Sequence, residues 1–258
     1  MHTPRKSLGQ HFLHQANVVT KIVSAFRPTA NDHVVEIGPG RGVLTGPLLQ
    51  KVKRLDVVEI DNDLVTWLGE HFAGCQKLHI HHIDALRFDY CALADHGGIR
   101  IIGNLPYNIS TPLLFRLLDC DCVVDMLLML QKEVVDRLLA QPNNKDYGRL
   151  TVMVQQRCQL QRVMNVAPGA FNPPPKVDSA VIALVPYGEP PYPVADRDRL
   201  QSIVRAAFAH RRKTLRNALK EIFNTQELLA MNIDPGLRAE QLSVAEYVRM
   251  ANFRPVSS

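Results

Sequence analysis

Short apolar runs alternate with amphipathic stretches through the first two thirds of the chain. The runs at 33–38, 55–60, 78–83, 99–103 and 122–130 are rich in β-branched residues and nearly continuous, the pattern of strands covered on both faces. Between them, 43–51, 63–72, 111–118 and 132–141 carry the mixed positions of helices lying on a sheet. Strand and helix repeated in this order predict an α/β fold with a doubly wound parallel sheet. After Pro142 the rhythm changes: 150–163 and 177–186 are two further apolar segments, expected to close the sheet edge as an antiparallel pair. Residues 188–195, GEPPYPVA, hold three prolines in eight positions and read as a linker. Beyond it, 197–223, 226–231 and 243–252 lack strand alternation and read as a small helical bundle. The expected domains are therefore 1–189 and 190–258.

Composition narrows the class without naming the chemistry. The 258 residues are 46% hydrophobic and 21% charged, enough to build a core and unlike a disordered chain. The longest apolar stretch, 120–130, is interrupted by Asp121 and Asp125, well short of the roughly 20 apolar residues of a membrane span. The first residues hold cations but no apolar block of a secretory signal. A cytoplasmic protein with no membrane partner is expected. Five cysteines form no CxxC pair, so reduced thiols are expected, and the Cys120–x–Cys122 spacing predicts no metal site.

Charge is unevenly placed. Residues 1–30 carry four cations and no carboxylate, whereas 31–100 carry seven cations against ten carboxylates. From Arg199 to Lys220 there are seven cations and no carboxylate. Basic ends around an acidic middle suggest a polyanionic partner gripped from outside the central site.

The first predicted strand runs into Glu36-Ile37-Gly38-Pro39-Gly40-Arg41-Gly42, at the turn where an open parallel sheet presents backbone to a nucleotide-like ligand. Gly38 and Gly40 permit positive φ and close approach. The spacing is GxGxG rather than the dinucleotide GxGxxG. The second strand ends at Glu59-Ile60, with Glu59 21 positions after Gly38, where a carboxylate can accept from both ribose hydroxyls. The third ends at Asp84-Ala85, where the acid can accept from an adenine amine. These features alone do not separate a nicotinamide cofactor from S-adenosylmethionine.

The fourth strand ends in Gly103-Asn104-Leu105-Pro106-Tyr107-Asn108-Ile109-Ser110-Thr111-Pro112, which suits methylation of an amine. The exocyclic amine of adenine is a poor nucleophile because its lone pair is delocalised into the ring. If the Asn104 side-chain oxygen and the Leu105 carbonyl accept its two N–H bonds, the nitrogen is drawn toward tetrahedral geometry and the lone pair is freed. Pro106 restricts the backbone that aims that carbonyl, and Tyr107 offers a flat face to a base held out of its stack.

With this motif, the chain resembles the dimethyladenosine ribosomal RNA methyltransferases, the KsgA family, from about Ser7 to Asn252. The likeness is carried by LGQHFL at 8–13, EIGPGRGVLT at 36–45, GNLPYNISTP at 103–112, LQKEV at 130–134, YGRL at 147–150, FNPPPKVDSA at 171–180 and RRKTLRN at 211–217. The resemblance implies a Rossmann-like S-adenosylmethionine-dependent sheet with a C-terminal helical domain, acting as a monomer. It implies that His11, Leu13, Gly38, Glu59, Asp84 and Asn104 line the cofactor site, joined by their neighbours Gly40, Ile60 and Ala85. It also implies that Phe171 stacks on the target adenine opposite Tyr107. His11 stands where the family more often has Asn. Arg5, Lys6, Arg205, Arg211, Arg212, Lys213 and Arg216 are the cations expected to hold RNA phosphates.

The function so implied is N6,N6-dimethylation of two adjacent adenines near the 3′ end of small-subunit ribosomal RNA, within a pre-mature subunit. Three other readings stand beside it: a resistance methylase acting on large-subunit RNA, a DNA adenine methyltransferase, and a non-catalytic assembly or transcription factor that keeps the fold. FNPPPKVDSA and the helical module favour the small-subunit enzyme, and NLPY departs from the usual DNA-enzyme tetrad.

Overall fold

The computed structural model describes residues 10–94 and 97–254; Arg5 and Lys6 lie outside them. Among the described residues, those up to Val135 together with Leu160–Pro186 form one compact unit, and Asp136–Gln159 together with those from Tyr187 onward form a second. The second unit thus draws in a segment well before the expected linker.

The first unit is built on a seven-stranded sheet in the order β4-β3-β2-β5-β6-β9-β7. Its strands are β2 (His33–Ile37), β3 (Arg54–Glu59), β4 (Leu78–His82), β5 (Ile99–Asn104), β6 (Val123–Gln131), β7 (Cys158–Val166) and β9 (Ser179–Pro186). β2 to β6 are parallel and β9 runs antiparallel to β6. The five apolar runs are these five parallel strands. All five residues of β2 are buried, as expected of a central strand between helices. The intervening helices are α2 (Thr45–Leu49), α3 (Asn62–His71) and α4 (Ser110–Leu118), with α5 (Lys132–Leu139) after β6. A separate two-residue pair joins β1 (Phe12–Leu13) to β8 (Phe171–Asn172).

Register fixes the upper edge of the sheet. Ile37 lies opposite Val58 on one side and Gly103 on the other, so Gly38, Glu59 and Asn104 emerge on adjacent strand ends. The helix α1 (Ala16–Phe26), absent from the expected elements, buries Val18, Val19, Ile22, Val23 and Phe26.

Three expectations change. Residues 150–163 are not one strand: α6 (Arg149–Gln155) precedes β7, with Thr151 Oγ1 donating to the Arg137 carbonyl at 2.6 Å and accepting from the Gly148 N–H at 3.0 Å. Residues 197–223 are not one helix either. α7 (Arg197–Ala209) stops before a turn and α8 (Leu215–Ala218) follows, because the N–H groups of Leu215 and Arg216 bond to Leu237 and Pro235 carbonyls at 2.7 and 3.0 Å. Finally, the five cysteines are not all reduced. Cys91 and Cys122 form a disulfide, their Cα atoms 5.6 Å apart, inside the span such a bond requires. Sequence spacing gave no sign of the pair, since its members are 31 positions apart.

In the second unit, α6, α7, α9 (Thr225–Ala230) and α10 (Val244–Asn252) enclose Leu200, Ile203, Val204, Leu215, Leu219 and Tyr247. α9 and α10 start at Asn224 and Ser243, each closed by a reciprocal bond with a glutamate three residues on.

Candidate active site

At the upper edge of the parallel sheet the strand ends open into a cavity of about 260 Å³. The glycine loop forms its floor. Gly38 and Gly40 have φ of 67° and 57°, a region side chains disfavour. A Cβ on Gly40 would meet the Phe12 ring at 3.0 Å, so that loop and the β1 segment close on each other because the side chain is missing.

The two acids foreseen at the next strand ends line the cavity. Glu59 is nearly buried, and its Oε1 accepts the N–H groups of Ile60 and Asp61, both at 2.9 Å. These bonds fix the plane of the carboxylate. Burial raises its pKa despite the N–H donors of Asp61, Ile60 and Gly40. Beside it Ile60 is 48% exposed, an apolar wall next to the acid. Asp84 Oδ1 accepts the Leu86 N–H at 2.9 Å, and Ala85 lies next to it on the cavity lining.

The fourth wall is Asn104 to Tyr107. Asn104 Nδ2 donates to the His11 carbonyl at 3.1 Å. With the NH2 end so committed, Oδ1 is the end that can accept. Leu105 is held by its N–H to the Met129 carbonyl at 3.1 Å. Tyr107 shares a hydrogen bond with Ser179 Oγ at 2.8 Å, and burial pushes its phenol pKa up. The His11 ring stacks on that of Tyr107, centroids 5.7 Å apart, while His11 Nδ1 lies 2.8 Å from the Pro173 carbonyl. His11 therefore reaches the site through both its carbonyl and its ring.

Leu13 also lines the cavity, but Phe171 does not. Phe171 is 2% exposed and belongs to the core that holds Leu13, Val18 and Val19. It pairs with Leu13 and packs in that core, and in this structure it is not among the residues lining the cavity with Tyr107.

Sequence reasoning passed over Glu36. It is 1% exposed, lines the cavity and accepts from Thr45 Oγ1 at 2.7 Å. Burial, aided by the nearby Glu59 charge, raises its pKa to about 7. A charged residue in an otherwise apolar strand was the available signal, since a fully buried carboxylate is rare without a partner. Gln10 was missed as well; its side-chain amide donates to Asp61 Oδ2 at 2.8 Å and closes the cavity from the front.

The second unit carries the expected basic residues. Arg205, Arg211, Arg212, Lys213 and Arg216 are all exposed. Arg211 to Lys213 lie on the turn between α7 and α8, and Arg211 Nη2 donates to the carbonyls of Lys145 and Tyr147 at 2.7 and 3.3 Å. Arg199, from the same cationic run, is structural: it donates to the Phe253 carbonyl at 2.9 Å. No helix among the described residues is long and apolar enough to cross a membrane.

Known proteins resemble this chain in sequence and fold. The family pattern described as Ribosomal RNA adenine dimethylase matches residues 1–254. The chain is 50% identical to "Ribosomal RNA small subunit methyltransferase A" of Pseudomonas aeruginosa, over 97% of this chain and 94% of that protein. To the protein of the same name from Shewanella loihica it is 52% identical, with the same coverage. Among solved structures, a dimethyladenosine transferase from Plasmodium falciparum superposes with a TM-score of 0.82 at 26% identity, covering 93% of this chain and 96% of that one. The 23S rRNA methyltransferase ErmE, at 24% identity and a TM-score of 0.73, covers 93% and 97% and shares the fold. With the family pattern spanning nearly the whole chain and the tetrad Asn104 to Tyr107 standing at the cavity mouth, the chain belongs to the ribosomal RNA adenine dimethylases.

Proposed function

We propose that this chain uses S-adenosylmethionine to dimethylate N6 of two adjacent adenines in the 3′-terminal hairpin of small-subunit (16S) ribosomal RNA, acting as a cytoplasmic monomer on pre-mature subunits and contributing to their biogenesis. The observation that carries the reading is the Asn104 bond to the His11 carbonyl, which leaves the amide oxygen as an acceptor beside the cavity.

The residues present fit the cofactor. Glu36, Glu59 and Asp84 set three carboxyl groups within a largely apolar lining, suited to a ligand with a sulfonium, an ammonium and a flat ring. Glu59 suits ribose hydroxyls, Asp84 an adenine amine, and Ile60 the flat face of that ring. When bound, S-adenosylmethionine supplies an electrophilic methyl group on sulfonium sulfur.

The chain's own contribution is to hold and activate the amine. Asn104 Oδ1 and the Leu105 carbonyl accept its two N–H bonds and free its lone pair, and Tyr107 supports the base by stacking. Alignment of this kind is worth about 7 to 11 kcal/mol in favourable cases. Arg205, Arg211, Arg212, Lys213 and Arg216, with Arg5 and Lys6, hold phosphates and set the register of the RNA.

The test is transfer of labelled methyl from S-adenosylmethionine to unmethylated small subunits and, in parallel, to unmethylated large subunits, followed by mapping of the modified base. Two adjacent N6,N6-dimethyladenines near the 3′ end are expected. Label found only in large-subunit RNA would overturn the reading in favour of a resistance methylase.

A further inference from the structure

Three sulfurs meet at the edge of the sheet away from the cofactor cavity. Cys91 opens a 3-10 turn (Cys91–Leu93) in the connection from β4 to β5, and Cys120 and Cys122 lie in the loop from α4 to β6. Their Sγ atoms are all within 4.8 Å of one another, and none of the three lines the cavity. We propose that Cys91, Cys120 and Cys122 form a binding site for a thiophilic d10 cation of the zinc class, with its fourth coordination position open to water.

The geometry is close to what such an ion requires. Zinc–thiolate bonds of about 2.3 Å at tetrahedral angles set sulfurs about 3.8 Å apart, so once the Cys91–Cys122 bond is reduced those two sulfurs separate to that spacing and Cys120 closes up to it, within a cluster already inside 4.8 Å. The backbone already holds the three residues. The Cys122 carbonyl accepts the Ile99 N–H at 2.9 Å, the Cys120 carbonyl accepts the Val123 N–H at 3.1 Å, and the Cys91 N–H donates to Asp89 Oδ1 at 3.1 Å. Cys91 is exposed while Cys120 and Cys122 are half-buried, which leaves a route in for the ion and a side for the water.

The charges around the cluster suit the same occupant. Asp89, Asp119 and Asp121 act electrostatically on Cys120, as does Arg116. The acids attract a dication to the loop. Three thiolates around that dication leave one negative charge, and Arg116 supplies the balancing cation. Arg116 Nη2 donates to the Phe88 carbonyl at 2.7 Å, but its Nε is buried without a hydrogen-bond partner. Thiolate sulfur is an acceptor of the kind this donor lacks. On binding, the three thiols release three protons as three metal–sulfur bonds form. The Cys91–Cys122 disulfide uses two of the same sulfurs, so the oxidised and metal-bound forms exclude each other.

The test titrates Co²⁺ into full-length protein reduced with a phosphine, reading the sulfur-to-cobalt charge-transfer absorption. One equivalent is expected to bind, and Zn²⁺ to displace it. Cys120→Ser and Cys91→Ser should each weaken binding at least about a hundredfold, while Cys75→Ser leaves it unchanged. The wild-type protein carrying the Cys91–Cys122 disulfide should give no band until reduced, a comparison independent of whether any variant folds. Absence of a sulfur–cobalt band in the reduced protein, or a band of equal affinity in Cys120→Ser, would overturn the proposal.

Discussion

The side chain of Asn104 reaches the main-chain carbonyl of His11 at 3.1 Å, across 93 positions of sequence. One residue of the tetrad is thus a strut for the segment that closes the cavity, and its amide oxygen is the group proposed to accept from the substrate amine. Asn104→Ala is expected to lower the single-turnover rate of methyl transfer at least about a hundredfold, in line with the loss of one aimed polar group in other active sites, while cofactor affinity falls only a few-fold. Asn104→Asp should lose cofactor affinity further, because a carboxylate repels the His11 carbonyl. Full transfer by either variant on unmethylated subunits would sink the assigned role.

Glu36 ties cofactor binding to pH. Its pKa is raised from 4.5 to about 7 by burial, so the folded state holds this proton more tightly than the unfolded chain. Stability of the ligand-free protein therefore declines as pH rises from 4.5 through about 7. Cofactor affinity has the opposite sign, since the ionised carboxylate attracts a cation. Calorimetric titration is expected to show affinity rising roughly tenfold as pH climbs through that range, and Glu36→Gln to flatten the rise. An identical profile in the variant would contradict the linkage.

Asp56 is fully buried and accepts from His33 Nε2 at 2.7 Å, His81 Nε2 at 2.6 Å and the Arg54 guanidinium. Burial alone would raise its pKa, but His33, Arg54 and His81 outweigh burial and hold it well below the carboxylate range. The stability it contributes is present above its ordinary value of 3.8 and is lost as pH falls. Asp56→Ala leaves the Arg54 guanidinium and the two imidazole N–H groups without their acceptor and should cost about 3 kcal/mol. Scanning calorimetry at neutral pH should show Tm lower by roughly 6 to 12 °C; an unchanged Tm would mean the cluster is not stabilising.

Arg212 and Lys213 should carry more of the RNA grip than Arg211, which is held by the Lys145 and Tyr147 carbonyls. Neutralising Arg212 and Lys213 together is expected to reduce the slope of log K against log salt for subunit binding by about 1.4 to 1.8. A slope equal to that of the wild type would remove this turn from the interface.

Gly40→Ala places a methyl group 3.0 Å from the Phe12 ring at a φ of 57°. Cofactor affinity is expected to fall about tenfold or more, since positive φ and a displaced Phe12 each disfavour the closed loop. Gly69→Ala, whose added Cβ meets nothing within 4 Å, is the control in the same binding assay.

The parallel strands and the three acid or amide strand ends were legible because local pattern decides them. α1 was equally written, in Val18, Val19, Ile22, Val23 and Phe26 at helical spacing, but neither a side-chain cap nor an acid in its first turn marks its start. The break between α7 and α8 had no local signal, because its cause is residues 235–238 taking up the backbone of 214–216. Phe171 shows the same limit. Its motif places it near the site, and only tertiary packing shows the ring buried among Leu13, Val18 and Val19.

The front of the cavity, among the described residues, is held by side-chain contacts and one short strand pair rather than by the sheet. The β1–β8 pair is two residues long, and beyond it the segment is fastened by contacts such as Gln10 to Asp61 and Asn104 to His11, whereas the floor belongs to a seven-stranded sheet. Local opening free energy scales with what must be broken, so this wall yields long before the fold does. The amide hydrogens of this wall are therefore expected to exchange with solvent before those of the sheet, and a ligand filling the cavity to slow them first.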